Sequence, residues 1–180
     1  MPEINVALIG HRFMGKAHSN AYRQVRRFFP GQLVPRMKML CAKASDEELE
    51  AVAKTYGWEE YTNDWRQVIE RKDIDVVDIS APGFLHEPIA IAAAEAGKHI
   101  LCEKPLANTL EEARRMLRAV EKAGVLHMVN FNYRRVPAVA FAKRLIDEGR
   151  IGKIYHYHAA YFQDWIMDPE FPLVWRLEKK

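Results

Sequence analysis

Apolar and polar positions alternate along the chain in blocks that predict a repeating order of strand and helix. Short apolar runs, such as residues 4–9 and 75–80, are typical of buried strands. Amphipathic segments lie between them, begin at capping residues such as Ser45 and Thr109, and end at glycines. This order predicts a doubly wound α/β fold, a parallel sheet with helices on both faces.

The predicted elements alternate as far as residue 130. We expect strands at residues 4–9, 36–42, 60–61, 75–80, 99–102 and 126–130, and helices at residues 14–27, 45–56, 65–71, 86–96 and 109–124. The pairs Ser45–Glu48 and Thr109–Glu112 each predict a capping box at a helix start.

The pattern changes after residue 133. A helix is predicted over residues 137–148, and alternation over residues 153–162 predicts a half-exposed strand. We therefore predict a dinucleotide-binding domain at residues 1–131 and the beginning of an α+β domain at residues 132–180. Because that last strand has no visible partner, we expect the 180 residues to belong to a longer protein.

Composition excludes several classes of protein. The net charge of +3 is too small to predict a nucleic-acid partner, and no apolar run is long enough to predict a membrane span. Cys41 and Cys102 lie in apolar strand-like runs, which predicts buried free thiols in a reducing compartment. With no basic-then-apolar leader either, we expect a cytoplasmic protein.

The first strand leads into a turn bracketed by two glycines, Gly10 and Gly15, and then into a helix. Such a turn gathers backbone N–H groups and a helix N-terminus, which suits a pyrophosphate. The fingerprint G-x-G-x-x-G is incomplete because Arg12 holds its middle position, so an ordinary strand–helix turn stays open. Lys43, Ser80 and Glu103 follow other strands, and this shared edge favours a dinucleotide site.

Glu103, Lys104 and Pro105 follow the fifth strand directly. They place a carboxylate, an ammonium group and a rigid bend where a ligand crevice is expected. A lysine there is suited to hydrogen-bonding a reacting hydroxyl or exchanging a proton with it. The alternative is a surface Glu–Lys pair, worth about 0–1 kcal/mol.

Several motifs together resemble one large family. They are Gly10-x-x-Phe13-Met14-Gly15-x-x-His18, Pro82-x-x-x-His86, the stretch 96–107 around Glu103-Lys104-Pro105, Asn132-Tyr133-Arg134 and Gly149-Arg150-Ile151-Gly152. The chain resembles the glucose–fructose oxidoreductase, inositol dehydrogenase and rhizopine-catabolism family (Gfo/Idh/MocA) over its whole length.

The resemblance implies an N-terminal domain that binds NAD or NADP, with Lys104 as the catalytic lysine beside nicotinamide and substrate. From the strand ends and the resemblance together, we predict cofactor contacts at Gly10, Arg12, Phe13, Met14, Gly15, Lys43, Ser80, Pro82, His86, Glu103, Lys104 and Arg134. The resemblance also implies a C-terminal domain that holds substrate and forms homo-oligomers. The family's D-x-x-x-H segment with its catalytic histidine does not occur before Lys180, and we predict no metal site.

Two positions bear on the cofactor. Gly83 stands where the family commonly has asparagine, which puts that cofactor contact in doubt. No acid precedes Asp46 after the second strand, whereas Lys43 and Ser45 are present, and this favours NADP. In the alternative reading, Lys43 is solvated and Ser45 only caps its helix.

The function implied by the resemblance is an NAD(P)-dependent dehydrogenase that transfers a hydride between the nicotinamide and a sugar, polyol or related hydroxy compound. Two alternatives stay open: an NAD-dependent glycosidase of the same family, and a cofactor-binding regulator without turnover.

Overall fold

The computed structural model describes residues 2–31, 33–174 and 177. The chain divides into two compact units, Met1–Asn130 and Phe131–Lys180. Within the described ranges, none of the helices is long and apolar enough to span a bilayer.

The first unit alternates strand and helix throughout. Its strands are β1 (Glu3–Ile9), β2 (Val34–Cys41), β3 (Glu60–Thr62), β4 (Val76–Ile79), β5 (His99–Cys102) and β6 (His127–Val129); its helices are α1 (Phe13–Phe28), α2 (Asp46–Tyr56), α3 (Trp65–Glu70), α4 (His86–Glu95) and α5 (Leu110–Ala123). A short 3-10 turn, Gly83–Leu85, joins β4 to α4.

The six strands form one parallel sheet in the order β3-β2-β1-β4-β5-β6. The chain moves outward from β1 to β3, returns to β4 beside β1, and then moves outward to β6. This confirms the predicted doubly wound α/β fold. It also places a reversal of strand order between β1 and β4, the usual position of a ligand crevice in such sheets.

Both faces of the sheet are buried, as β1 illustrates. Val6 and Leu8 join one apolar cluster, whereas Ala7 and Ile9 join a larger one. This period of two with apolar residues on each face is expected of a parallel strand covered by helices on both sides. Cys41 and Cys102 are buried free thiols, as predicted, and burial raises the pKa of each to about 12.

The capping predictions are confirmed in full at α5 and in part at α2. Thr109 and Glu112 form the complete capping box. At α2, Ser45 accepts from the Glu48 N–H at 3.2 Å, but the Glu48 carboxylate lies 2.9 Å from His11 Nε2. The box at Ser45 was therefore half wrong, because a histidine distant in sequence provides Glu48 with a partner.

The second unit contains a 3-10 turn, Asn132–Arg135, followed by α6 (Pro137–Asp147). Residues 153–162, predicted as a strand, pair with no strand in the part of the chain that the structure describes. All residues from 153 to 162 are exposed, Tyr155 and Tyr157 by more than four-fifths, so the half-buried face that the alternation predicts is not formed. A strand also needs a neighbour for its backbone hydrogen bonds.

Candidate functional site: the carboxyl edge of the sheet

The strands end level with one another at their carboxyl ends. The residue that follows β1, β4, β5 or β6 still donates a backbone hydrogen bond to the neighbouring strand. These bonds run from Gly10 to Cys41, Ser80 to Ile9, Glu103 to Ile79 and Asn130 to Cys102, with N–O distances of 2.7–2.8 Å. This register brings Gly10, Ser80, Glu103 and Asn130 to one edge of the sheet.

The turn after β1 leaves no room for a side chain at either glycine. Gly10 has φ of +118°, and a Cβ atom there would lie 2.5 Å from the Ser80 carbonyl oxygen. A Cβ atom at Gly15 would lie 2.2 Å from the Gly10 carbonyl oxygen. The close packing of strand, turn and helix therefore requires both glycines.

Helix α1 begins without a side-chain cap. Its N-cap is Arg12, which makes no capping hydrogen bond, and its first turn contains no Asp or Glu. Helix α5, by contrast, has Thr109 as its cap and Glu111 and Glu112 in its first turn. The partial positive charge at the start of α1 thus has no acidic side chain in its own first turn, which suits an anion such as a pyrophosphate.

The side chains at the start of α1 differ in exposure. Arg12 is exposed, with its guanidinium 3.7 Å from Glu48 Oε1, and Phe13 is four-fifths exposed. Met14 is half-buried. These three residues lie at the helix start, as the sequence predicts, and their contacts with a cofactor stay a prediction.

The turn after β5 separates Glu103 from Lys104. Glu103 is buried, whereas Lys104 is exposed. Among the described residues, no hydrogen-bond or ion-pair partner is found for the Lys104 ammonium group. The surface Glu–Lys pair considered as an alternative is therefore not formed here, because the Glu103 carboxylate points into the protein.

His86 connects two loops at this edge. It is buried, with Nδ1 2.9 Å from the Pro105 carbonyl oxygen and Nε2 2.9 Å from the Ala81 carbonyl oxygen. Both ring nitrogens thus face backbone carbonyls. This geometry fixes the loop after β4, where half-buried Pro82 lies, against the turn that carries Lys104.

The remaining predicted residues have different surroundings. Lys43 is exposed beyond the end of β2, and the Ser45 hydroxyl is used as the α2 cap. Ser80 Oγ lies 3.2 Å from the Gly10 carbonyl oxygen and supports the glycine turn. Arg134 belongs to the second unit, in its 3-10 turn.

A buried polar cluster beneath this edge was not predicted. His18 of α1 has its Nδ1 2.8 Å from Asp78 Oδ2, and the Tyr22 hydroxyl donates to the same oxygen at 2.7 Å. On its other side, His18 Nε2 lies 3.1 Å from Glu103 Oε1, which also accepts from Asn130 Nδ2. The cluster joins α1, β4 and the turns after β5 and β6.

The electrostatics of this cluster favour a charged histidine. Burial alone would lower the pKa of His18, but hydrogen bonds and charge from Asp78, and then from Glu103, outweigh it and raise its pKa. Burial, reinforced by the charge of Asp78, raises the pKa of Tyr22 well above its ordinary value. The available signal in the sequence was Asp78, a carboxylate within an apolar strand, which must find a buried partner.

These features define a dinucleotide-binding protein of the Rossmann class: a doubly wound sheet, a glycine turn at its carboxyl edge and a helix start suited to phosphate. Residues 4–131 match the family described as the Gfo/Idh/MocA oxidoreductase family with an NAD-binding Rossmann fold, and the chain belongs to this family.

Two curated relatives illustrate the match. Levoglucosan dehydrogenase of Pseudarthrobacter phenanthrenivorans is 53% identical over 180 residues, which cover 99% of this chain and 46% of the relative. The scyllo-inositol 2-dehydrogenase (NAD(+)) of Bacillus subtilis is 41% identical over 125 residues, which cover 69% of this chain and 36% of the relative. The chain thus spans less than half the length of either.

Solved structures also resemble this chain over part of their own length. A levoglucosan dehydrogenase in complex with NADH and levoglucosan has a TM-score of 0.93 and 52% identity, covering 97% of this chain and 47% of that one. The scyllo-inositol dehydrogenase from Lactobacillus casei with bound NAD(H) and scyllo-inositol has a TM-score of 0.74 and 25% identity, covering 83% and 42%.

Proposed function

We propose that the full-length protein is an NAD(P)-dependent dehydrogenase that oxidises a CH–OH group of a sugar, with levoglucosan as the first substrate to test. The observation that carries the proposal is the exposed Lys104. Its ammonium group has no ion-pair partner among the described residues. It lies at the same edge of the sheet as the N-terminus of α1, whose first turn contains no Asp or Glu. The levoglucosan dehydrogenase relative supports the choice of an anhydrosugar substrate.

The fit of a dinucleotide rests on the glycine turn. A Cβ atom at Gly10 would overlap the Ser80 carbonyl and one at Gly15 the Gly10 carbonyl, so only glycine lets the strand, the turn and the start of α1 pack this closely at the carboxyl edge. The N–H groups at the start of α1 would hold the pyrophosphate. The nicotinamide, when bound, would accept the hydride from the substrate carbon.

Lys104 would act on the reacting oxygen. Its ammonium group would donate a hydrogen bond to the oxygen of the substrate hydroxyl, which would make that hydroxyl easier to deprotonate as the carbonyl forms. The hydroxyl proton then has to pass to a group of the protein or to water. The family's usual histidine for this step lies in a segment that the 180 residues do not contain.

The choice between NAD and NADP rests on two opposing observations. Lys43 follows β2 with no acid before Asp46, which favours the extra phosphate of NADP. The solved structure of a levoglucosan dehydrogenase, however, has NADH bound. We therefore propose NAD(H) as the first cofactor to test, and the NADP preference expected from Lys43 stays a prediction.

The test is turnover of levoglucosan by the full-length protein with NAD or NADP, followed by the absorbance of the reduced nicotinamide. We expect one reduced cofactor for each levoglucosan oxidised, with scyllo-inositol as the comparison substrate. Cofactor binding without turnover on a broad sugar panel would instead favour a regulator. Consumption of a glycoside without net reduction of cofactor would favour a glycosidase.

A further inference from the structure

The cluster around His18 places one imidazole between two buried carboxylates. Asp78 is fully buried and Glu103 is 4% exposed. Asp78 Oδ1 and Oδ2 lie 3.0 and 2.8 Å from His18 Nδ1, whereas Glu103 Oε1 lies 3.1 Å from His18 Nε2. Each ring nitrogen therefore faces a carboxylate oxygen.

This arrangement is satisfied when both ring nitrogens carry hydrogen. A neutral imidazole has one N–H and one lone pair, so it would set a lone pair against one of the two carboxylates. Asn130 Nδ2 also lies 3.1 Å from His18 Nε2, but it is closer to Glu103 Oε1 and donates there. With His18 as an imidazolium, the cluster has two negative charges and one positive charge.

Glu103 connects the His18 cluster to the backbone of Lys104. Its Oε1 accepts from His18 and Asn130, and its Oε2 accepts from the Lys104 backbone N–H at 3.2 Å. Both oxygens of the carboxylate are thus occupied, which fixes the side chain and the start of the turn. The backbone from which the Lys104 side chain extends is therefore fixed by its hydrogen bond to the buried Glu103 carboxylate.

We propose that His18, as an imidazolium, is a positioning residue that fixes Glu103 and, through it, the turn that presents Lys104 to the substrate. The inference rests on the proposed function, because it assigns His18 to the dehydrogenase reaction. His18 belongs to the same helix whose first turn would hold the pyrophosphate, so one helix sets the place of both cofactor and lysine.

The kinetic test compares His18→Gln with a matched control in the full-length protein. Glutamine carries both of its N–H donors on one nitrogen, so it cannot donate to two carboxylates that face different nitrogens of the His18 ring. We expect kcat with levoglucosan to fall roughly 10- to 100-fold, the scale of a misplaced catalytic group. KM and the Kd for NADH should stay within about threefold, because only the Lys104 contact with the substrate is displaced and the other substrate and pyrophosphate contacts are unchanged.

The control is Lys98→Met, which removes another buried charged group at the opposite end of β5. It should lower thermal stability while leaving kcat per NADH-binding site unchanged. A kcat in His18→Gln equal to that of wild type and Lys98→Met would overturn the proposal, since His18 would then serve stability alone. The double variant His18→Gln/Asp78→Asn restores the net charge of the cluster, and we expect it to recover most of the lost kcat.

A spectroscopic measurement covers the case in which His18→Gln does not fold. In the wild-type protein with 15N-labelled histidine, the two ring nitrogens of His18 should both show the protonated signature at neutral pH, and the signals should be absent from the double variant. A single protonated nitrogen would refute the imidazolium. If the wild type binds NADH but never turns over, the proposed function fails, and this spectrum still decides the state of His18.

Discussion

The two lysines that flank β5 occupy opposite ends of one short strand and have opposite surroundings. Lys98, just before the strand, is 4% exposed, and its Nζ donates to the carbonyl oxygens of Arg71 and Ile74. Lys104, just after it, is exposed, and no partner for its ammonium group is found within the described ranges. One lysine completes the fold, whereas the other is available to a ligand.

The contrast separates the two edges of the sheet. At the amino edge, the Lys98 side chain donates to two backbone carbonyl oxygens, and its hydrogen bond to Ile74 is buried. At the carboxyl edge, the Lys104 side chain is exposed, whereas the Glu103 carboxylate is buried and hydrogen-bonded to His18. This is the division expected of an open α/β sheet, whose ligands bind at the carboxyl ends of its strands.

The sharpest way to break this comparison is to remove the charge from Lys104. Lys104→Met keeps a similar stem and removes the donors. If Lys104 acts on the reacting oxygen, turnover by the full-length protein should fall roughly 10²- to 10⁴-fold. The thermal midpoint and the Kd for NADH should barely change, because the ammonium group has no structural partner in the described residues. Turnover within a few-fold of wild type would remove Lys104 from the mechanism.

The same substitution at the other end of the strand should have the reverse effect. Lys98→Met leaves the Arg71 and Ile74 carbonyls without their donor, and a buried unsatisfied group costs about 1–3 kcal/mol. Denaturant unfolding measures this loss. Lys122→Met on the exposed face of α5 is the control and should change stability by less than about 0.5 kcal/mol. A Lys98 variant as stable as that control would show that the two carbonyls find water instead.

Sequence patterns were sufficient for those parts of the site that depend on local order. The glycine turn, the strand ends and the exposed lysine follow from apolar runs, breakers and the parallel arrangement. The His18 cluster depends on which strands become neighbours, because Asp78 and Glu103 lie 60 and 85 residues after His18 along the chain. No periodicity of three or four residues reports such a contact.

Two errors have physical causes of the same kind. The second half of the capping box at Ser45 failed because His11, from another loop, is a better partner for Glu48 than the N-cap backbone. The strand expected at residues 153–162 failed because the alternation of apolar and polar residues specifies only the two faces of a strand. A strand also requires a neighbouring strand for its backbone hydrogen bonds. In both cases the deciding group is distant in sequence.

A third lysine sharpens the comparison at the cofactor end. Lys43 lies exposed beyond β2, at the same carboxyl edge as Lys104. Lys43→Asp should weaken NADPH binding and improve NADH binding, shifting the ratio of the two Kd values by about tenfold, the size of one favourable charge contact replaced by repulsion. Fluorescence titration of both cofactors measures this ratio. An unchanged ratio would place Lys43 away from the ribose.

The smallest expected effect is the pH dependence of what Lys98 contributes to stability. Burial lowers the pKa of Lys98 in the folded protein, outweighing the nearby charges of Asp73 and Asp75, whereas a lysine in the unfolded chain has a pKa of about 10.4. Between these two pKa values the unfolded chain binds more protons at this position than the folded one, so stability rises with pH. The difference in unfolding free energy between wild type and Lys98→Met should therefore increase in favour of wild type as the pH is raised toward about 10.4. Taking this difference cancels the titration of every other group that the variant leaves unchanged.

A difference that falls with pH would mean that the folded protein stabilises the Lys98 ammonium group. Lys98 would then be a paired charge, and the contrast with Lys104 would rest on partners alone.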